Sequence, residues 1–194
     1  MKNIYSKKKE IIIQTAQKLF SRFGFLKTTV DEIAKAARMG KASIYHYFKS
    51  KEDIFREVIE KENQILHTRI QKAIEEQKTL RGKIKAFILT KMECLSELAN
   101  IYDVLKNEYL EHYAFIEKAR EANFRQEIET VKSILQDGMN EGVLEIDDIE
   151  LTSFAIISAL KGLEYPWTIK TPADKMEKNI DKLLDILFNG IVKR

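Results

Sequence analysis

At 194 residues the chain can hold one large domain or two modest ones with real cores. Its seven glycines and two prolines favour long uninterrupted helices. It has no apolar stretch of about 18 residues and no early secretion-type run, so a membrane span is excluded and a cytoplasmic protein is expected. The formal charge of +3 conceals an asymmetry: residues 1 to 51 carry twelve Lys and Arg against three acids, a net of +9, and the rest carry 21 against 27, a net of −6. A basic quarter on an acidic body fits a chain whose first domain alone meets a polyanion.

In chain order, Ser6 is placed as the cap of a first helix. Its Ile12, Ala16, Leu19, Phe20 and Phe23 form a 3.6-period stripe that ends at Gly24. Lys7, Lys8 and Lys9 oppose the dipole of its first turn, which a nearby phosphate would make tolerable. Thr29 and Glu32 then form a T-x-x-E capping box, so a second helix begins at about Val30 with Val30, Ile33, Ala34 and Ala37 facing inward. Arg38-Met39-Gly40 interrupts the pattern. Ile44, Tyr45 and Phe48 resume it on a very short helix that stops before Ser50.

Two short helices joined by a three-residue turn spell helix-turn-helix. In that motif the second helix enters the major groove N-terminus first, which brings Lys41, Ala42 and Ser43 to the base edges. Tyr45, Tyr47, Lys49 and Lys51 supply hydroxyls and ammonium groups for phosphates. Thr29 and His46 complete the candidate DNA-binding set.

Ser50-Lys51-Glu52-Asp53 caps a long helix whose Phe55, Val58, Ile59, Leu66, Ile70 and Ala73 run without a breaker to about Gln77. It spans roughly 38 Å, enough to link two domains. His67 lies on it as a surface histidine. A further helix follows from Thr79 to Ala99, with Asn100 ending it, then a short aromatic segment from Ile101 to Leu110. A long pattern next runs through Phe115, Ala119, Phe124, Ile128, Val131, Leu135 and Met139. The segment from Ile149 to Leu163 is apolar on nearly every side and needs two partners. Tyr165-Pro166-Trp167 is read as a break, and Pro172 restarts a last helix with a wide stripe from Met176 to Ile191. The last two helices therefore serve as a dimer contact, with Phe154, Ile157, Leu183 and Leu187 as its candidates.

The segments FSRFGFLKTTVDEIAKAA and GKASIYHYFKSKEDIF resemble the TetR family of transcriptional repressors over about residues 7 to 60. The family usually has glycine where this chain has Arg38, at a turn position suited to positive φ; an arginine there costs roughly 1 kcal/mol. The resemblance implies an all-α fold: an N-terminal three-helix helix-turn-helix DNA-binding domain, residues 1–50, joined by the long helix to a C-terminal helical ligand-binding and dimerisation domain, residues 51–194. It also implies a repressor that binds a palindromic DNA operator as a homodimer and is released by a small-molecule effector. Aromatic placement puts the effector near Tyr102, Leu105, Tyr109, Phe124 and Trp167, and the lack of clustered arginines favours an apolar or amphipathic ligand. The alternative is a DNA-binding dimer whose C-terminal domain binds a protein partner or no ligand. The three histidines are scattered, the nucleophile and nucleotide motifs are missing, and Cys94 stands alone, so neither catalysis, a metal site nor a cofactor is indicated.

Overall fold

The computed structural model describes residues 2–97, 114–170 and 172–190. Among these the structure is helical without strands: α1 (Lys2–Phe23), α2 (Val30–Ala36), α3 (Lys41–Tyr47), α4 (Lys51–Glu75), α5 (Leu80–Glu97), α6 (Ala114–Asn140), α7 (Ile149–Lys170) and α8 (Ala173–Asn189). The short segment read at Ile101 to Leu110 lies outside the described residues, as does Asn100. The chain forms two compact units, one running to Gln64 and the other containing Ile65–Glu97 and the residues from Arg120 onward. Helix α4 runs unbroken through the division.

In the first unit the stripe of α1 closes a core with α2, α3 and the first half of α4. Ile12, Ala16, Phe20, Ile33, Ala34, Ile44, Phe48, Ile54, Phe55 and Val58 are all buried. Phe20, Phe25 and Phe55 pack as a triangle with centroids 4.6 to 5.8 Å apart. The α4 residues complete this core, and the compact unit accordingly continues past residue 50. Gly24 ends α1 at a φ of 80°, its amide bonding back to the Phe20 carbonyl at 2.8 Å. Helix α1 begins at Lys2, so Ser6 is interior and caps nothing. The extra turn is held from outside α1, where the Tyr5 ring packs on Tyr47 at 4.6 Å.

In the second unit α5 packs against α7 and α8. Its Ile84, Phe87, Ile88 and Met92 are fully buried, as are Val131 on α6, Ile157 and Leu160 on α7, and Ile180 and Leu184 on α8. Arg81 and Lys85 clamp α5 to α8 through Asp185, Glu177 and Asp181. Cys94 is buried, and burial pushes its thiol pKa up. The break read at Tyr165-Pro166-Trp167 does not occur: α7 continues through Pro166 to Lys170. A proline forfeits one donor, at about 3 kcal/mol in a helix interior, and more than four turns of helix precede this one. No helix among the described residues is long and apolar enough to cross a membrane.

Candidate nucleic-acid interface

The turn between α2 and α3 is built residue by residue. The Thr29 hydroxyl accepts from the Glu32 amide at 3.3 Å and donates to the Glu32 carboxylate at 2.8 Å, while the Thr29 amide donates to that same carboxylate at 2.8 Å. These bonds hold the Glu32 pKa below its ordinary value, the backbone amide contributing most. Buried Thr28 donates its hydroxyl to the Gly24 carbonyl at 2.9 Å, fixing the approach to the cap. Arg38 has a φ of 55°, the left-handed conformation anticipated for that position. Met39 bonds back to Ala34 at 2.9 Å, and Gly40 caps α3 from an extended conformation without a side-chain bond.

Ile44 is the buried anchor of α3, at 1% exposure. Opposite it, Lys41, Ala42, Ser43, Tyr45 and His46 are exposed, as are Thr29 and Lys49, while Tyr47 is half-buried. One helical turn thus offers an ammonium, a methyl and a hydroxyl to solvent side by side. Lys41 is paired: its Nζ lies 2.8 Å from Asp31 Oδ2, an exposed bridge that raises the lysine pKa. Lys51 is turned inward. Its Nζ donates to the Phe25 carbonyl at 2.8 Å and sits 4.3 Å from the centroid of the Phe25 ring, and partial burial lowers its pKa against the pull of Glu52. Six of the nine candidates are therefore exposed on α3 and its flanks without a protein ion pair, Lys41 is bridged, Tyr47 is covered by Tyr5, and Lys51 ties down the α1–α2 turn.

Sequence reasoning missed Asp31 as the partner of Lys41 and Tyr5 as a support for α3. Tyr5 did carry a signal, lying seven residues before Ile12 on the same stripe. Its ring also meets His46 edge-on at 6.0 Å.

Of the effector candidates, Tyr102, Leu105 and Tyr109 lie outside the described residues. Phe124 and Trp167 are half-buried on α6 and α7. Phe124 packs edge-on to Phe154 at 5.9 Å, with the Lys161 ammonium over its ring at 4.7 Å. A surface groove of about 440 Å³ is lined by Arg125, Ile128, Glu129, Glu150, Leu151 and Phe154. Of the dimer candidates, Phe154 and Leu187 are 49% and 41% exposed. Ile157 is fully buried within the unit and cannot meet another chain, which corrects that assignment; Leu183 is half-buried. His67 is also reassigned: it is half-buried rather than on the surface, and its Nε2 is buried without a hydrogen bond.

Residues 12–58 match the family model described as bacterial regulatory proteins, tetR family. The chain is 24% identical to the HTH-type transcriptional regulator YhgD of Bacillus subtilis over 85% of this chain and 86% of that one. It is 25% identical to the HTH-type transcriptional regulator QacR of Staphylococcus aureus over 95% and 98% of the two chains. Among solved structures, the transcriptional regulator FadR from Bacillus subtilis in complex with stearoyl-CoA superposes with a TM-score of 0.72 at 23% identity, covering 94% of this chain and 99% of that chain. Such a likeness shows a shared fold. With its capped α2, its left-handed turn at Arg38, its exposed α3 and the family match over that same stretch, residues 12–58 form a helix-turn-helix unit of the kind shared by the tetR family of bacterial regulatory proteins.

Proposed function

We propose that this protein is a repressor that binds a palindromic operator as a two-fold dimer and is released by a small apolar or amphipathic effector. The observation that carries the reading is the first turn of α3, where Lys41, Ala42 and Ser43 face solvent while Ile44 anchors the helix beneath them. One such helix reads too few base pairs for useful specificity, and helix-turn-helix proteins overcome this by pairing half-sites across a two-fold axis. Exposed Leu151 and Phe154 on α7, with Ile186 and Leu187 on α8, support an apolar contact with a second copy. The effector reading is supported by the long-chain amphiphile in the FadR structure. It is supported also by α4, which begins beside α3 and ends among the helices of the second unit. An effector regulates only by preferring one arrangement of the two DNA readers over the other.

The test is retardation of a duplex from the protein's own upstream region, with wild type and Leu187→Glu compared at low salt. A charge placed in a desolvated contact costs several kcal/mol, on the order of 3 or more. The variant should sediment as a folded monomer and lose specific retardation. A normal dimer would move the interface off α8, and a wild type that retards no duplex would defeat the operator reading.

A further inference from the structure

Helix α3, which the operator reading sets against DNA, has only seven residues. A helix that short is not stable by itself, and within it only Ile44 is buried. Its cap, Gly40, makes no side-chain bond. Tyr47, three residues after Ile44, flanks the anchored face, but His46 sits about 200° around the helix from Ile44 and is exposed. The core therefore fixes the backbone of α3 and leaves the orientation of the His46 imidazole to a contact from elsewhere.

That contact comes from the first turns of α1. The Tyr5 ring lies on Tyr47 with centroids 4.6 Å apart and planes tilted by 39°, and it meets His46 edge-on at 6.0 Å and 77°. His46 and Tyr47 meet each other edge-on at 5.3 Å and 89°. Tilted and edge-on pairs are the geometries that aromatic quadrupoles favour, and two near-perpendicular neighbours leave the imidazole little freedom to change rotamer. Tyr5 is itself held. One turn further along α1, Lys9 pairs with Glu57 of α4 at 2.7 Å, and its ammonium lies 5.6 Å from the centroid of Phe48, the residue that closes α3. Ile12 and Ile13 are buried behind it. Tyr5 is nevertheless 46% exposed, so it adds little to the core of the unit. Its contribution is to orientation.

We propose that Tyr5 is a positioning residue for DNA recognition, its ring holding His46 and Tyr47 in the arrangement in which they meet the duplex. The proposal rests on the operator reading above and adds to it a residue that acts through α3 without touching DNA. A side chain free to turn has to be ordered when DNA binds, which lowers affinity; one that is already held does not. Tyr5 accomplishes that ordering in the free protein.

The experiment uses the full-length chain as wild type, Tyr5→Ala and Tyr5→Phe, with a duplex that the wild type selects from random DNA. Without DNA, carbon relaxation of the His46 and Tyr47 rings reads how firmly each is held; the chain has three histidines, and His46→Gln assigns the signal. Side-chain order at both rings should fall in Tyr5→Ala and stay at the wild-type level in Tyr5→Phe. With DNA, Tyr5→Ala should weaken binding about fivefold per protomer, and so about 25-fold for two, with an unchanged salt slope because no cation is lost. Tyr5→Phe should bind within about twofold of wild type. In a His46→Ala, Tyr47→Leu background, Tyr5→Ala should change affinity by less than about twofold, because the groups it acts through are gone. An affinity loss in Tyr5→Phe equal to that in Tyr5→Ala would mean that the hydroxyl touches DNA itself, and a lowered urea midpoint with unchanged affinity would reduce Tyr5 to a stabilising contact. Either result overturns the proposal, as does ring order that Tyr5→Ala leaves intact. A wild type that binds no duplex while Tyr5→Ala loosens both rings defeats the operator reading and upholds the brace, whereas tight operator binding that no substitution at Tyr5 alters does the reverse.

Discussion

Replacing Lys51 by methionine separates two roles that an N-terminal lysine on α4 could have. Methionine keeps most of the apolar stem and removes the ammonium. In the structure that ammonium donates to the Phe25 carbonyl at 2.8 Å, a full charge-assisted bond, while its approach to the Leu26 carbonyl at 3.5 Å adds little. A hydrogen bond to a charged group contributes about 1.5 to 3 kcal/mol, and a partly exposed cation over a ring about 0.5 to 1 kcal/mol. Partial desolvation of the ammonium offsets some of this. The net loss should be about 1 to 3 kcal/mol, felt in the turn that leads into Thr28 and the α2 cap. With a denaturant slope of about 1 to 2 kcal/mol per molar for a small unit, the urea midpoint followed by far-ultraviolet circular dichroism should fall by about 1 M. A phosphate contact predicts otherwise: an unchanged midpoint, and a salt dependence of operator affinity shallower by about 1.8 in the log–log slope, because each of the two protomers loses one contact. That second pattern would refute the structural role assigned to Lys51.

Arg38→Gly should stabilise the first unit by about 0.5 to 1 kcal/mol, because relief of the left-handed arginine exceeds the extra unfolded-state entropy of glycine; Arg38 is exposed, so no packing is lost. A lowered urea midpoint would count against the strain. The His67 pKa is lowered in the folded chain, chiefly by burial, so its contribution is present above the unfolded value of about 6.5 and is lost as pH falls through the window below it. The urea midpoint of wild type should therefore fall relative to His67→Gln between about pH 6.5 and 5, and a difference that stays flat over that range would exclude His67 as the cause.

The DNA-binding unit was legible because its signals are local. A capping box needs two residues three apart, a left-handed turn shows as an odd residue between two periodic runs, and Ile44 and Phe48 mark their own inward face. The second unit was less legible because its chemistry is assembled from distant helices. Lys91 pairs with Glu127 and Glu164, and each of the three sits at a core position of its helix's apolar period, seven residues after Ile84, four before Val131 and seven after Ile157. Such a charge in a stripe announces burial without naming its partner. Ile157 and Phe154 could not be assigned to inner and outer faces on a helix that is apolar all round; packing against α5 decided between them. Pro166 misled for a related reason, since the local rule against proline in a helix was outweighed by the long helix on which it sits.

The account stands most directly on the sequences this protein selects from random DNA. Bound duplexes should be enriched from a library at moderate salt, and the complex then weighed by sedimentation on the winning sequence. An inverted repeat carrying an even number of protomers, with Lys41→Ala or Ser43→Ala changing which bases are enriched, is the predicted result. Enrichment of no sequence, or of a single half-site held by one protomer, would contradict it.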